Sequence, residues 1–241
     1  VYTVDTDSAG NVYVSGFFYK SVTLGSTTYT SKGSYDIFLA SFTPSGKLRW
    51  GKTFGSPHGD YSYDLTVDNA GNVYLTGGHS SGINFGGATF SSSGSYDIYL
   101  ASFDKDGKHR WSKGFGSNKD DNGHGLATDG AGNVYLTGFH NTTVNFGGGN
   151  LISSGSYDIF LASFDSSGKH RWSMGFGNTS HDYAYRLAVD GSGNVYVTGN
   201  FKLSVNFGGG VLTSKGSDEI FVASFDSSGK HRWSKGFGNT S

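Results

Sequence analysis

Residues 181–241 read HDYAYRLAVDGSGNVYVTGNFKLSVNFGGGVLTSKGSDEIFVASFDSSGKHRWSKGFGNTS. Nearly the same stretch stands at 120–180 and at 59–119, and a copy at 1–58 lacks only the three leading residues. Tryptophans mark the period because they are spaced 61 residues apart, at Trp50, Trp111, Trp172 and Trp233. A repeat that cannot bury its own hydrophobic face must bury it against its neighbours. The 241 residues are therefore one module written four times.

Each copy contains short runs of β-branched and aromatic residues bounded by Gly, Asp, Asn and Ser, which is typical of strands joined by tight turns. In the last copy the predicted strands are 183–189, 195–200, 220–225 and 231–237. Aspartate opens each short turn and glycine supplies the positive φ that closes it. An extra hairpin is predicted between the second and third strands, around the Asn-Phe-Gly-Gly of residues 206–209.

Both sides of the predicted strands are apolar. In residues 98–103, Ile98 and Leu100 lie on one side and Tyr99, Ala101 and Phe103 lie on the other. A two-sheet sandwich would leave one face polar, whereas sheets stacked in a ring bury both faces. The predicted fold is all-β, a β-propeller of four 61-residue repeats, each a four-stranded antiparallel blade with an extra hairpin.

We expect a single repeat domain over 1–241, with blades at 1–58, 59–119, 120–180 and 181–241. The four tryptophans are predicted to be structural anchors between blades. Four units can close as a small propeller, form half of an eight-bladed ring as a dimer, or extend as a longer array. Because the chain opens on Val1, we expect a processed product or a piece of something longer.

The charge balance excludes some partners. The chain has 18 basic and 19 acidic residues, spread evenly through the copies, so neither nucleic acid binding nor binding to an anionic membrane is predicted. No apolar run reaches the 18 residues that membrane insertion needs. The absence of cysteine excludes disulfides, thiolate metal sites and a cysteine nucleophile.

Two motifs carry a family resemblance. Asp-x-x-Gly-Asn-Val-Tyr-(Val/Leu)-(Thr/Ser)-Gly stands at 7–16, 68–77, 129–138 and 190–199, and Asp-Ile-Phe-Leu-Ala-Ser-Phe-Asp-x-x-Gly-x-x-x-Trp stands at 158–172. Together they resemble the bacterial "seven-bladed β-propeller" (SBBP-type) repeat family, in a long variant with an Asn-Phe-Gly-Gly hairpin. The resemblance covers the whole chain and implies a propeller fold in an extracellular or cell-surface protein. It implies no particular activity, and the family name implies seven blades where this chain carries four.

Candidate binding residues lie in the longer loops, since loops on a rigid scaffold are where binding usually resides. In three copies a Tyr-Asp pair ends the loop that precedes the third strand. Aromatic faces stack on sugar rings, and carboxylates accept hydrogen bonds from sugar hydroxyl groups. The candidate ligand-binding residues are Tyr35, Asp36, Tyr96, Asp97, Tyr157 and Asp158. The alternative, which we favour, is that these tyrosines pack where the loop meets the third strand.

No catalytic residue, cofactor or metal site is predicted. A catalytic acid and base need different environments, whereas nearly every carboxylate here has counterparts in other copies. Each Asp-x-x-Gly-Asn turn supplies one carboxylate where a calcium site draws on several. We therefore expect a non-catalytic module for extracellular or cell-surface interaction or structure. The alternatives are a multivalent carbohydrate-binding propeller and a self-assembling filament, stalk or matrix protein, so the expected partners are a second copy, a glycan or a surface protein.

Overall fold

The computed structural model describes residues 1–239, and every regular element within them is a β-strand. The first strands are β1 (Thr3–Thr6), β2 (Val12–Leu24), β3 (Thr27–Phe42) and β4 (Leu48–Phe54). They are followed by β5 (Asp60–Val67), β6 (Val73–His79), β7 (Ile83–Asn84), β8 (Thr89–Phe90), β9 (Asp97–Phe103) and β10 (His109–Phe115). The next are β11 (Asn122–Thr128), β12 (Val134–His140), β13 (Thr143–Asn145), β14 (Asn150–Ile152), β15 (Asp158–Phe164) and β16 (His170–Phe176). The last are β17 (Tyr183–Val189), β18 (Val195–Phe201), β19 (Ser204–Asn206), β20 (Val211–Thr213), β21 (Glu219–Phe225) and β22 (His231–Phe237).

The long strands form four-stranded antiparallel sheets, each in chain order. Sheet 1 is β1-β2-β3-β4, sheet 2 is β5-β6-β9-β10, sheet 3 is β11-β12-β15-β16 and sheet 4 is β17-β18-β21-β22. The structure confirms the all-β class and the repeated four-stranded sheets. The strands predicted at 183–189 and 231–237 coincide with β17 and β22, and the two between them differ from β18 and β21 by one residue at an end.

Apolar side chains fill the space between consecutive sheets. On β9, Tyr99 packs in a cluster with Ile37 of sheet 1, whereas Leu100 packs in a cluster with Leu136 of sheet 3. A third cluster joins Leu161 of sheet 3 to sheet 4. The central strands of sheets 2 and 3 are therefore buried on both faces, as the sequence predicted, and neighbouring sheets hold each other in place.

The extra hairpins of sheets 2 to 4 each pack between their own sheet and the preceding sheet, at the outer edge of the interface, which we call the outer seam. Hairpins β7-β8, β13-β14 and β19-β20 are separate two-stranded sheets, whereas in sheet 1 the hairpin continues β2 and β3. The ring of Phe85 lies 5.0 Å from Phe54 of the preceding sheet and 4.6 Å from Tyr99 of its own. Phe146 and Phe207 repeat this bridge at the next two seams.

The tryptophans of sheets 1 to 3 also bridge to the next sheet. The Nε1 atoms of Trp50, Trp111 and Trp172 donate to the carbonyl oxygens of Lys105, Ser166 and Ser227, at 3.0, 3.0 and 3.1 Å. Their rings face a turn glycine of that sheet, where a Cβ atom would lie 3.0 Å or less from the ring. Trp233 has no following sheet within the described residues and remains 39% exposed.

Sheets 1 and 4 each keep one face uncovered. The innermost strands follow in order, with β1 against β5, β5 against β11 and β11 against β17. Between residues 1–58 and 181–239, the described structure contains no hydrogen bond and no shared hydrophobic cluster. Val4 is 62% exposed in sheet 1, and Ile220 is 58% exposed in sheet 4. Within residues 1–239, these two faces of sheets 1 and 4 are therefore not packed against each other.

Candidate functional site

The carboxylates of the Tyr-Asp pairs face inward and cap their own loops. Asp36, Asp97 and Asp158 are buried, and each Oδ2 accepts a hydrogen bond from the backbone N–H four residues earlier, at 3.0, 3.0 and 2.9 Å. A glycine at the end of the fourth strand lies against each carboxylate; these are Gly55, Gly116 and Gly177. Burial raises the pKa of all three carboxyl groups. The aspartates thus hold the loop where it enters the third strand.

In the last copy, Asp218-Glu219 stands where the other copies have Tyr-Asp, and the buried carboxylate still caps its loop. Glu219 is buried, and its Oε1 accepts a hydrogen bond from the backbone N–H of Lys215. Asp218 stands where the other copies have tyrosine, and it accepts a hydrogen bond from Asn200 and lies 3.7 Å from Lys202 Nζ. The single glutamate therefore takes the place of the aspartate that caps the loop in the other copies.

A second buried carboxylate begins each following sheet. Asp60, Asp121 and Asp182 have no exposed surface, and each accepts hydrogen bonds from the link that precedes it. Burial raises the pKa of each to about 6, and the neighbouring Asp36, Asp97 or Asp158 adds to the effect. Because the pair recurs at three junctions with similar partners, its geometry serves the connection between sheets.

Aromatic side chains form a continuous surface across all four sheets, which we call the aromatic strip. Neighbouring ring centroids lie 4.5–6.1 Å apart. The strip consists of Tyr2, Phe17, Tyr19, Tyr35, Tyr61, Tyr63, Tyr96, His124, Phe139, Tyr157, His181, Tyr183 and Tyr185. The rings of Tyr63 and His124 join its two halves, since they stack at 4.5 Å with 5° between their planes. The candidate tyrosines Tyr35, Tyr96 and Tyr157 all belong to this surface.

The strip carries little charge near neutral pH. Burial and neighbouring tyrosines raise the pKa of Tyr61, Tyr63 and Tyr183 to about 12. Burial, with a contribution from Arg186, lowers the pKa of His124 to about 4. Tyr2, Tyr19, Tyr35 and Tyr185 leave 38–55% of their surface exposed. Such a surface can stack against sugar rings or apolar side chains, because its contacts are ring faces and hydroxyl groups.

Sequence reasoning missed most of the strip, because it considered only the loops before the third strands. The first strands contribute aromatic rings at one repeated position, occupied by Tyr2, Tyr63, His124 and Tyr185. These four residues are spaced 61 apart, so the repeat itself contained the signal. Local strand prediction gave no reason to connect them with the loop tyrosines.

The Asp-x-x-Gly-Asn turns use their carboxylates internally. Asp68 Oδ1 accepts hydrogen bonds from the backbone N–H groups of Ala70 and Asn72, at 2.9 and 2.8 Å. Its Oδ2 accepts from Asn72 Nδ2 and from the Tyr74 hydroxyl, at 2.8 and 3.0 Å. Within residues 1–239 no three His, Asp or Glu side chains are grouped as metal ligands would be. The same part of the chain has no helix that could cross a membrane.

One family model matches three segments of the chain. The family model described as "SBBP: Beta-propeller repeat" matches residues 49–85, 110–147 and 175–200. Each match begins in a fourth strand and includes the first two strands of the next sheet. None of the curated proteins matches the chain. The crystal structure of a protein of unknown function from Bacteroides caccae aligns with 98% of this chain and 81% of its own, with a TM-score of 0.40 and 11% identity.

Proposed function

Because the chain belongs to the SBBP-type β-propeller repeat family, we propose that it is a non-catalytic propeller module of four 61-residue repeats. In this proposal it serves interaction or structure outside the cell or at the cell surface. The observation that carries it is the division of roles among side chains. The buried carboxylates cap loops in the same way at three junctions, while the aromatic strip offers a broad exposed surface. A binding surface fits this division better than a reaction centre, which needs an acid and a base in different environments.

The proposal that the module is non-catalytic can be tested by assaying the protein with chromogenic glycosides, carboxylic esters and phosphate esters. We expect no turnover above that of buffer. The matched variant is Asp121→Asn, since Asp121 is one of the three buried carboxyl groups whose pKa is raised to about 6 and which would be acid or base candidates. Turnover by the wild-type protein that is lost in this variant would overturn the proposal.

The location can be tested on intact cells that produce the chain, using antibodies against it. Brief protease treatment of whole cells should remove the signal if the module is at the surface, and the signal should appear in the medium if the module is released. A signal that survives on intact cells and disappears only after lysis would contradict an extracellular role.

Carbohydrate binding is a second candidate, and the aromatic strip is the observation that favours it. Several ring faces are exposed at once, and the half-exposed Tyr35 lies 5.7 Å from Tyr61, so an extended glycan could stack on more than one ring. The Oδ1 atoms of Asp36 and Asp158 accept no hydrogen bond within the described residues, but both are buried. The tyrosine faces are therefore the first groups that a sugar would meet.

A glycan array tests this second candidate. Binding should be lost in the triple variant Tyr35→Ala, Tyr96→Ala, Tyr157→Ala and kept in Ile152→Ala, which removes an exposed apolar side chain from the β13-β14 hairpin. Circular dichroism should show that all three proteins are folded. An array without binding removes the carbohydrate candidate and leaves a protein partner as the ligand of the strip.

A further inference from the structure

Within residues 1–239, one face of sheet 1 and one face of sheet 4 have no other sheet opposite them. The leading face is the side of sheet 1 that turns away from sheet 2; it includes Pro44 and Gly46, and Leu24 lies buried at its outer edge in a cluster within sheet 1. The trailing face is the side of sheet 4 that turns away from sheet 3, and it includes Trp233 and Phe237. The three internal interfaces show how two such faces fit together.

Each internal interface uses a tryptophan and the arginine before it. Trp172 Nε1 and Arg171 Nη2 both donate to the carbonyl oxygen of Ser227, at 3.1 and 3.2 Å. The same pair of donors reaches Ser166 from sheet 2 and Lys105 from sheet 1, with distances of 3.0 and 3.1 Å in both cases. The tryptophan ring then lies against the turn glycine two residues beyond the acceptor.

The donor half of this contact stands at the end of sheet 4. Arg232 makes the hydrogen bonds within its own sheet that the other arginines make, to Tyr196 and Ser224. Trp233 stands beside it, 39% exposed, on a face where the described chain provides no following sheet. The donors are therefore placed as they are in the other sheets, and the described residues 1–239 place no acceptor opposite them.

The acceptor half stands in sheet 1. Pro44 occupies the position of Lys105, Ser166 and Ser227, and proline keeps the carbonyl oxygen that the contact requires. Gly46 follows with a φ of +80°, close to the +77° of Gly107. A Cβ atom at Gly107 would lie 2.9 Å from the Trp50 ring, whereas a Cβ atom at Gly46 would meet nothing within 4 Å. The space beside Gly46 is thus the place that a tryptophan fills in the other three turns.

At the outer seam, the leading and trailing faces also carry the counterparts of apolar side chains that pack together in the internal interfaces. Phe176 of sheet 3 packs 5.1 Å from the hairpin residue Phe207 of sheet 4. Its counterpart Phe237 is 52% exposed, and the counterpart of Phe207 on the leading face is Leu24. Burial of an aromatic side chain of this size stabilises an interface, so Phe237 would contribute to the contact.

We infer that the trailing face of sheet 4 binds the leading face of sheet 1 of a second copy of this chain. Trp233 and Arg232 of one copy then donate to the Pro44 carbonyl of the other, and Phe237 packs at the outer edge of the leading face, over the cluster that contains Leu24. The contact is heterologous, so it closes two or more copies into a ring or extends them as a chain. The inference depends on the two faces alone and is independent of what the aromatic strip binds.

Light scattering coupled to size exclusion tests the contact on the 241-residue protein. We expect a mass of at least twice 25.5 kDa that falls to the single-chain value in Trp233→Ala. A second variant, Gly46→Asn, blocks the other face, because asparagine tolerates a positive φ and its side chain would occupy the tryptophan's place. The matched control is Gly132→Asn, a turn glycine with a φ of +78° whose Cβ would make only a 3.5 Å contact.

Mixing the two blocked variants gives the most specific result. Trp233→Ala keeps a functional leading face and Gly46→Asn keeps a functional trailing face, so each should be a single chain alone and the mixture should form a pair. Thermal unfolding should show that each variant is folded before it is mixed. A wild-type mass of 25.5 kDa at high protein concentration, or a mixture that stays at that mass while wild type assembles, would overturn the inference.

Discussion

The indole Nε1 of Trp172 lies 3.1 Å from the carbonyl oxygen of Ser227, in the turn between β21 and β22 of the next sheet. The contact joins a side chain near the outer edge of one sheet to the backbone of its neighbour. Trp172 also packs against the hydrophobic cluster between sheets 3 and 4, so this contact extends the interface to the half-buried fourth strand. The repeat thus contains its own means of attaching the next repeat.

Replacing Trp172 should lower the free energy of unfolding more than replacing Trp233, which has no sheet opposite it within residues 1–239. Trp172→Ala removes the ring from Gly229 and leaves the interface with a cavity, so we expect a loss of about 3 kcal/mol. Trp233→Ala, measured in dilute protein, should change the free energy of unfolding by about 0.5 kcal/mol or less, as is usual at a surface position. Urea unfolding of the two variants measures the difference. Equal losses would mean that Trp172 contributes nothing through the next sheet.

The hairpin phenylalanines should contribute to stability although they lie outside the four-stranded sheets. Phe146 is buried between Phe115 of sheet 2 and Phe160 of sheet 3. Phe146→Ala should therefore cost about 3–5 kcal/mol, the range for a buried aromatic residue. Ile152→Ala, on the same hairpin but exposed, should stay within about 0.5 kcal/mol of wild type. Similar values for both would show that the hairpin does not close the seam.

The glycine that faces each loop cap should not accept a side chain. A Cβ atom at Gly116 would lie 2.3 Å from Cγ of Asp97, so alanine there must displace the carboxylate that holds the loop. We expect Gly116→Ala to lose about 2 kcal/mol or more, through strain and an unpaired backbone N–H. Gly130→Ala is the control, because a Cβ atom there would meet nothing within 4 Å. Thermal unfolding compares them, and a Gly116→Ala protein as stable as the control would contradict the capping role.

A buried histidine should make stability depend on pH. Burial lowers the pKa of His140 from 6.5 to about 4 in the folded protein. Between those values the unfolded chain binds the proton more tightly, so wild type loses stability from this group as the pH falls from 6.5 towards 4. Phe18 and Phe201 occupy the same repeat position, which makes His140→Phe a compatible substitution. The free energy of unfolding of His140→Phe relative to wild type should increase by roughly 2 kcal/mol as the pH falls from 7.5 to 5, at about 1.4 kcal/mol per pKa unit.

Measuring the difference between the two proteins is essential here, because other groups act in the opposite direction. The raised pKa values of Asp60, Asp121 and Asp182, about 6, favour the folded state at low pH and lose that contribution as the pH rises through 6. These groups are common to wild type and His140→Phe, so they cancel in the comparison. An advantage that is the same at both pH values would show that His140 is not held neutral by burial.

The local sequence was sufficient to predict where the strands and turns lie. In 183–189 and 231–237 the predicted and observed strands coincide, because alternation and turn residues act over a few neighbours. Apolar residues on both sides of 98–103 were enough to predict burial between two sheets, and Tyr99 and Leu100 do face different neighbours. The candidate site was only partly accessible to this reasoning. Tyr35 and Asp36 were expected to act together, but the backbone of the loop turns the carboxylate inward and leaves the ring partly exposed.

The sequence by itself determined the repeat, the strands and the positions that must be apolar, since each of these depends on period and local chemistry. Only the tertiary structure decided which side chains meet across sheets, such as Tyr63 and His124, and which faces stay uncovered. Trp172 and Trp233 show the distinction most clearly. Both stand in the same Lys-His-Arg-Trp-Ser context, yet one is bonded to Ser227 and the other is exposed. The burial of each ring depends on whether another sheet lies opposite it, and within residues 1–239 no sheet lies opposite Trp233.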